Sequence, residues 1–198
     1  MYALIRSRRS IRRYTPAAIP SATIERLLQA ATWAPSAHNR QPWRFSVLHT
    51  PEVKARLAQA MGARLRADRL GDGDAPDEIA RDVARSYARI TSAPTVVVVC
   101  LSLAEMDSYS DARRANAEQV MAVQSTAMAV QNLLLAAHAE GLGACWMCAP
   151  LFCPAAVVSA LDLPPDWQPQ ALITLGQPAQ PGKPAVRRPL TDVIVERA

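Results

Sequence analysis

Ala34-Pro35-Ser36-Ala37-His38-Asn39-Arg40-Gln41-Pro42-Trp43-Arg44-Phe45 joins a helix-periodic segment to a strand-periodic one through two prolines and a run of small and amide side chains. Upstream, Pro20 and Ser21 open a helix with Ile24, Leu27, Leu28 and Ala31 on one face and Glu25 in the first turn, where the helix dipole favours an acid. Pro35 ends that helix. Downstream, Trp43 to Leu48 alternates large apolar with polar residues and reads as a strand. Proline fixes φ and removes a donor, while Ser, Asn and Gln bring polar groups that a buried connection would have to satisfy. The stretch is therefore expected to be a rigid polar loop at the mouth of a sheet, a common place for ligands.

Working outward, residues 1 to 7 form a short helix and Pro51 to about Arg69 a longer one carrying Val53, Leu57, Ala60, Met61 and Leu65. Gly71 to Pro76 is a loop whose acids do not match a calcium-loop pattern. Asp77 to Ile90 is a charged amphipathic helix, and residues 66–90 are expected to act as a lid. Thr95-Val-Val-Val-Val-Cys-Leu101 is a β-branched run of the kind found in a strand buried on both faces, so a central sheet is expected. Ala144 to Cys148 and Gln170 to Gly176 are further strands, with a helix over Phe152 to Leu161. Helices and strands do not alternate strictly, which favours an α+β fold over a doubly wound sheet.

Residues 113 to 140 form the longest helix, with Val120, Val123, Ala127, Val130, Leu134 and Ala137 spaced three and four apart and no charge from Gln119 to Ala137. A helix apolar nearly all round must be covered on most faces by its own chain or by a second copy, and the homodimer is the favoured reading. Gly141 caps it. The tail from Gln177 is rich in proline (Pro178, Pro181, Pro184, Pro189) and ends in an extended segment, Leu190 to Val195, so residues 177–198 read as an arm reaching a partner's sheet edge.

The chain has 198 residues, half of them hydrophobic, enough for one domain with its own core. Its net charge of +5 is concentrated near the start, at Arg6, Arg8, Arg9, Arg12 and Arg13. Met1 to Leu4 is followed by arginines and not by an apolar signal region, no uninterrupted apolar run spans a bilayer, and the expectation is a cytoplasmic protein without membrane contact. Cys145-Trp-Met-Cys148 has the C-x-x-C form but no second pair, so reduced, buried thiols are expected at Cys100, Cys145, Cys148 and Cys153 and no metal site.

Arg8-Arg9-Ser10-Ile11-Arg12 gathers guanidiniums and a hydroxyl within five residues, a set suited to the oxygens of one phosphate. A solvated basic tail and a nucleic-acid arm are equally open from this stretch. The scarcity of interleaved aromatics weighs against nucleic acid. His38 reads as a polar-contact residue and not as a general acid.

Together, Arg8-Arg-Ser-Ile-Arg12, Ala34-Pro-Ser-x-x-Asn-x-Gln-Pro-Trp-x-Phe45, Val130-Gln-Asn-Leu-Leu-Leu-Ala-Ala137, Gly141-Leu-Gly143 with Trp146, and Arg187-Arg-Pro-Leu190 occur in the order seen in the flavin-dependent nitroreductase family, which the chain resembles over nearly its whole length. The middle and C-terminal half most resembles the reductase domain fused to the deazaflavin-coenzyme glutamyl ligase. The resemblance implies a three-layer α+β fold with a mixed, mostly antiparallel sheet, and an intertwined homodimer binding FMN at its interface. It also implies hydride transfer from NADH or NADPH through the flavin to a small-molecule electron acceptor such as a nitroaromatic or quinone, with no catalytic side chain. By the same resemblance, Arg8, Arg9, Ser10 and Arg12 contact the phosphate, ribityl chain and pyrimidine edge, and Arg187, Arg188 or Lys183 completes the phosphate site. Pro35, Ser36 and Asn39 approach the ring from the partner subunit, and the Cys148-Ala149 backbone lies over it. The same fold also supports a reductase of a deazaflavin-coenzyme precursor, a flavin-fragmenting dimethylbenzimidazole synthase, or a flavin-binding module without turnover.

Overall fold

The computed structural model describes residues 1–196. Helices α1 (Tyr2–Ser7), α2 (Ser21–Thr32), α3 (Pro51–Gly71), α4 (Pro76–Thr91), α5 (Ala112–Ala139) and α6 (Pro154–Leu161) surround strands β1 (Trp43–Leu48), β2 (Thr95–Leu101), β3 (Gly143–Met147) and β4 (Gln168–Gly176). Proline opens the first turn of α3, α4 and α6, where its missing N–H is no loss. Asp111 caps α5 by accepting the Arg114 amide at 2.9 Å. At the other end Gly141 takes a φ of 77°, which lets Leu142 N reach Ala137 O at 2.8 Å and Gly141 N reach His138 O at 3.1 Å, the paired bonds of a Schellman cap.

The sheet has the order β1-β2-β4-β3, with every neighbouring pair of strands antiparallel; among the described residues parallel pairing enters only at an isolated bridge from Ser10 to Ala144 on the β3 edge. Every residue of β2 is buried. The strand's period of two divides them between two cores. Val97 and Val99 join Leu27, Ala31, Val130, Leu133 and Ala137 under α2 and α5. Val96, Val98 and Cys100 join Leu57, Ala58, Met61 and Val157 under α3 and α6. This is the expected α+β, three-layer arrangement: β2 is apolar on both faces because helices cover both, although its neighbours run antiparallel.

Three expectations are corrected. Of the six α5 positions expected to share a buried stripe, Val130, Leu134 and Ala137 are buried, whereas Val120 and Val123 are exposed; Glu118, Ala122, Ser125, Thr126, Ala129 and Leu133 complete the inward face. A helix apolar nearly all round gives periodicity little to discriminate with, and Ser125 can turn inward because its hydroxyl donates to Met121 O at 2.7 Å. By length and mean composition α5 would also pass as a membrane span, but its packing against α2 and the sheet makes it a core helix, in keeping with the reading above. The helix expected from Phe152 is split into a 3-10 turn (Ala149–Phe152) and α6. Leu190 to Val195 is not a strand: Leu190–Asp192 is a 3-10 turn, and among the described residues nothing pairs with the segment. Residues 197 and 198 of the expected arm lie outside the described residues.

Candidate functional site

The arginine-rich segment lies along the β3 edge. Ile11 N donates to Ala144 O at 2.9 Å, Thr15 N to Gln177 O at 2.9 Å, and Ala179 N to Arg13 O at 3.0 Å, so the start of the chain is clasped between β3 and the tail. Gly143 permits this closeness: a Cβ there would meet Ile11 Cγ2 at 2.7 Å. The Tyr14 hydroxyl donates to Ile11 O at 2.5 Å and lies 2.8 Å from Thr174 Oγ1. Burial holds this phenol well above its ordinary pKa, so it stays a neutral donor.

Held this way, Ser10, Arg12 and Arg13 line one side of a cleft of about 660 Å³; Arg85 and Arg89 of α4 line another, and Lys183 of the tail closes it. The lining contains five cationic side chains and no acid. Arg85 is paired with Asp82 at 2.5 Å. Arg9 folds its guanidinium back onto Arg6 O and Arg8 O, at 2.5 and 2.8 Å. Behind the cleft, burial raises the Cys145 thiol pKa, even though Arg12, Arg89 and Arg8 are near enough to draw it down. Arg187 and Arg188 are exposed and lie outside the cleft lining, with Arg187 donating to Val186 O at 2.9 Å.

The loop from Pro35 to Gln41 forms a separate candidate. His38, Asn39 and Gln41 have φ of 49°, 54° and 50°, a left-handed backbone outside glycine. Each such residue costs on the order of 1–3 kcal/mol, and strain of this kind concentrates at binding sites. The conformation is fixed locally: Ser36 Oγ accepts the Gln41 amide at 3.1 Å, Asn39 N donates to Ser36 O at 3.0 Å, and Ala37 N donates to Ser125 Oγ of α5 at 3.2 Å. Pro35 and Asn39 are exposed.

The register sets the two candidates diagonally apart. Trp43, just after the loop, pairs with Leu101 at the end of β2, whereas Ser10 bridges to Ala144, which pairs with Leu175 opposite Thr95 at the start of β2. Strand spacing and rise put them roughly 25 Å apart within one chain. Cys148 is exposed just beyond β3, its sulfur accepting from Trp146 Nε1 at 3.1 Å, and Ala149 is half-buried at the adjacent turn. Thus the chain gathers Ser10, Arg12 and Lys183 at one place, and holds Pro35, Ser36 and Asn39 at another.

Arg13, Arg85 and Arg89 were not anticipated. A signal existed for the last two: like charges four apart on one helix face repel, which is tolerated more readily where an anion joins them. The acids between Gly71 and Pro76 are partly accounted for, since Arg69 binds Asp74 at 2.6 Å and Asp82 at 2.5 Å and so locks α3 to α4.

Comparison with known proteins agrees with the fold. The profile of the nitroreductase family matches residues 5–177. An NADH dehydrogenase of Thermus thermophilus is 30% identical, over 96% of this chain and 92% of its own. A 5,6-dimethylbenzimidazole synthase of Rhodobacter capsulatus is 33% identical, over 88% and 82%. A Desulfovibrio desulfuricans protein crystallised in complex with FMN superposes with a TM-score of 0.76 at 31% identity, covering 100% of this chain and 96% of that one.

Proposed function

Because the chain belongs to the nitroreductase family of flavin oxidoreductases, we propose that it is an FMN-dependent NAD(P)H oxidoreductase, passing reducing equivalents to a small electron-poor acceptor such as a nitroaromatic or quinone. The observation that carries this reading is the cleft lined by five cations and no acid. Its donor set fits FMN: guanidiniums offer planar paired donors to phosphate oxygens, and Ser10 adds a hydroxyl. In this assignment Lys183 serves the phosphate end from within the cleft lining, and Arg8 and Arg9, just outside it, turn inward to join it, with Arg187 or Arg188 in reserve. Ser10 and Arg12 serve the polar ring edge. FMN, when bound, supplies the reversible acceptance of a hydride.

The residues themselves bind and orient. The charge of Arg12 would favour electron uptake by a ring bound next to it, and Tyr14, kept neutral by burial, holds the backbone that carries Ser10 and Arg12. Pro35, Ser36 and Asn39 belong to the same site only if a second copy brings them there, because within one chain they lie further from Ser10 than a flavin reaches. An exposed apolar strip on α5, Val120, Val123 and Met128, supports such a homodimer. The Cys148-Ala149 backbone is assigned to the ring face. Residues 66–90, which include Arg85 and Arg89, serve as the lid of the cleft.

The test is the visible spectrum of the purified protein. The expected result is a flavin spectrum, release of FMN on heating, and anaerobic bleaching by NADH or NADPH that a quinone reverses. A colourless protein that takes up no added FMN would sink the proposal. The likeness to the dimethylbenzimidazole synthase favours one second reading, a flavin-fragmenting enzyme of the same fold. Bound FMN that neither nicotinamide reduces would point there.

A further inference from the structure

On α5, away from the arginine cleft, a buried carboxylate lacks a partner. Glu118 is only 5% exposed, and its Oε2 has no hydrogen bond among the described residues. Its carboxylate belongs to a group with the His38 imidazole and the Asp107 carboxylate, whose ligand atoms all lie within 4.8 Å of one another. The three arrive from separate segments. His38 is carried by the left-handed loop pinned to α5 through Ser125, and Asp107 by the β2–α5 connection, where its Oδ1 accepts from Arg40 at 2.5 Å.

Two carboxylates side by side, one of them buried, need compensating charge. Arg40 supplies it to Asp107 alone. No hydrogen bond joins His38 to either acid among the described residues; the one side-chain donor on Asp107 there is Arg40.

We propose that His38, Asp107 and Glu118 form a site for one divalent transition-metal cation of the zinc class. An imidazole nitrogen with two carboxylates suits such an ion better than magnesium or calcium, which prefer oxygen alone. Ligands on a tetrahedral zinc shell sit about 3.4 Å apart, so the three groups need to close by little more than about 1 Å. The Arg40 contact then orients the Asp107 carboxylate and leaves Oδ2 for the metal, as hydrogen bonds behind metal ligands commonly do. The ion ties the Pro35–Gln41 loop to α5 and stiffens it; it takes no part in electron transfer. The site revises the expectation of no metal, and does not depend on the flavin assignment.

The test uses the full chain carrying Cys148→Ser, to remove the exposed thiol, stripped with a chelator and dialysed against ZnCl2. One zinc per chain and a rise in Tm are expected, with Glu118→Gln and His38→Ala each weakening binding at least about tenfold. His38→Ala alters an exposed position, so its result stands even if Glu118→Gln folds poorly. No zinc uptake, or equal uptake by the His38 variant, overturns the proposal. A Glu118→Gln effect on dimerisation without any zinc uptake also overturns it, and assigns the carboxylate to contact with a second copy.

Discussion

Arg12 lines the cleft together with the α4 cations, and the proposed site assigns it to the polar ring edge. A charge-assisted hydrogen bond contributes about 1.5–3 kcal/mol. Arg12→Ala should therefore weaken FMN binding roughly 10- to 100-fold, read by fluorescence titration, with the urea midpoint little changed. Cys100, on the α3 side of β2, carries a different prediction. Burial raises its thiol pKa from the ordinary 9.0 to about 12. The folded form holds its proton more tightly than the unfolded one, so its contribution to stability is complete below pH 9 and is lost as pH rises toward about 12. Urea melts between pH 8 and 11 should show stability falling, and Cys100→Ala should reduce that fall. Tyr14, Cys145 and Cys153 shift in the same direction and will leave a residual slope.

At the scale of elements, α5 divides its apolar surface. Leu133 is fully buried beneath α2 and the sheet, so Leu133→Ala should cost about 2–5 kcal/mol in denaturant unfolding. Val120 and Val123 are more than a third exposed, and replacing both by Glu should cost the chain's own fold little while abolishing association in sedimentation. Unchanged association would remove α5 from the proposed dimer contact. The length of α5 and the strand character of Thr95 to Leu101 were legible because residue type and period report directly on burial. Which way α5 faces was not, since nearly every side of it is apolar. The clasp of residues 10–15 between β3 and the tail was equally hidden, because it rests on backbone hydrogen bonds from Ile11, Thr15 and Ala179 that carry no side-chain signature.

At the scale of the whole molecule, the arginine cleft and the strained loop occupy opposite ends and opposite edges of one sheet. If two copies complete each other's sites, then a mixed dimer of an Arg12→Ala chain with an Asn39→Ala chain contains one site with both parts intact and one lacking both. Differently tagged chains, co-expressed and purified through both tags as the mixed dimer, should then recover about half the tight FMN sites of the wild-type dimer, although each variant homodimer has none. No recovery would mean that both residues act within one chain, and tight binding by either variant homodimer would mean that the residue replaced in it has no role.

The sequence by itself determined the α+β class, the family, and most of the helices and strands, the Phe152 helix and the Leu190 to Val195 segment excepted, because these follow from local periodicity, proline placement and motif order. Only the tertiary structure decided that Arg85, Arg89 and Lys183 join Ser10 and Arg12, that Arg187 and Arg188 stay outside that cleft, and that Glu118 is buried beside His38 and Asp107. Such groups meet across sheet edges and helix faces. Their proximity depends on the order β1-β2-β4-β3 and on how α4 and α5 lie against it, which no spacing along the chain encodes.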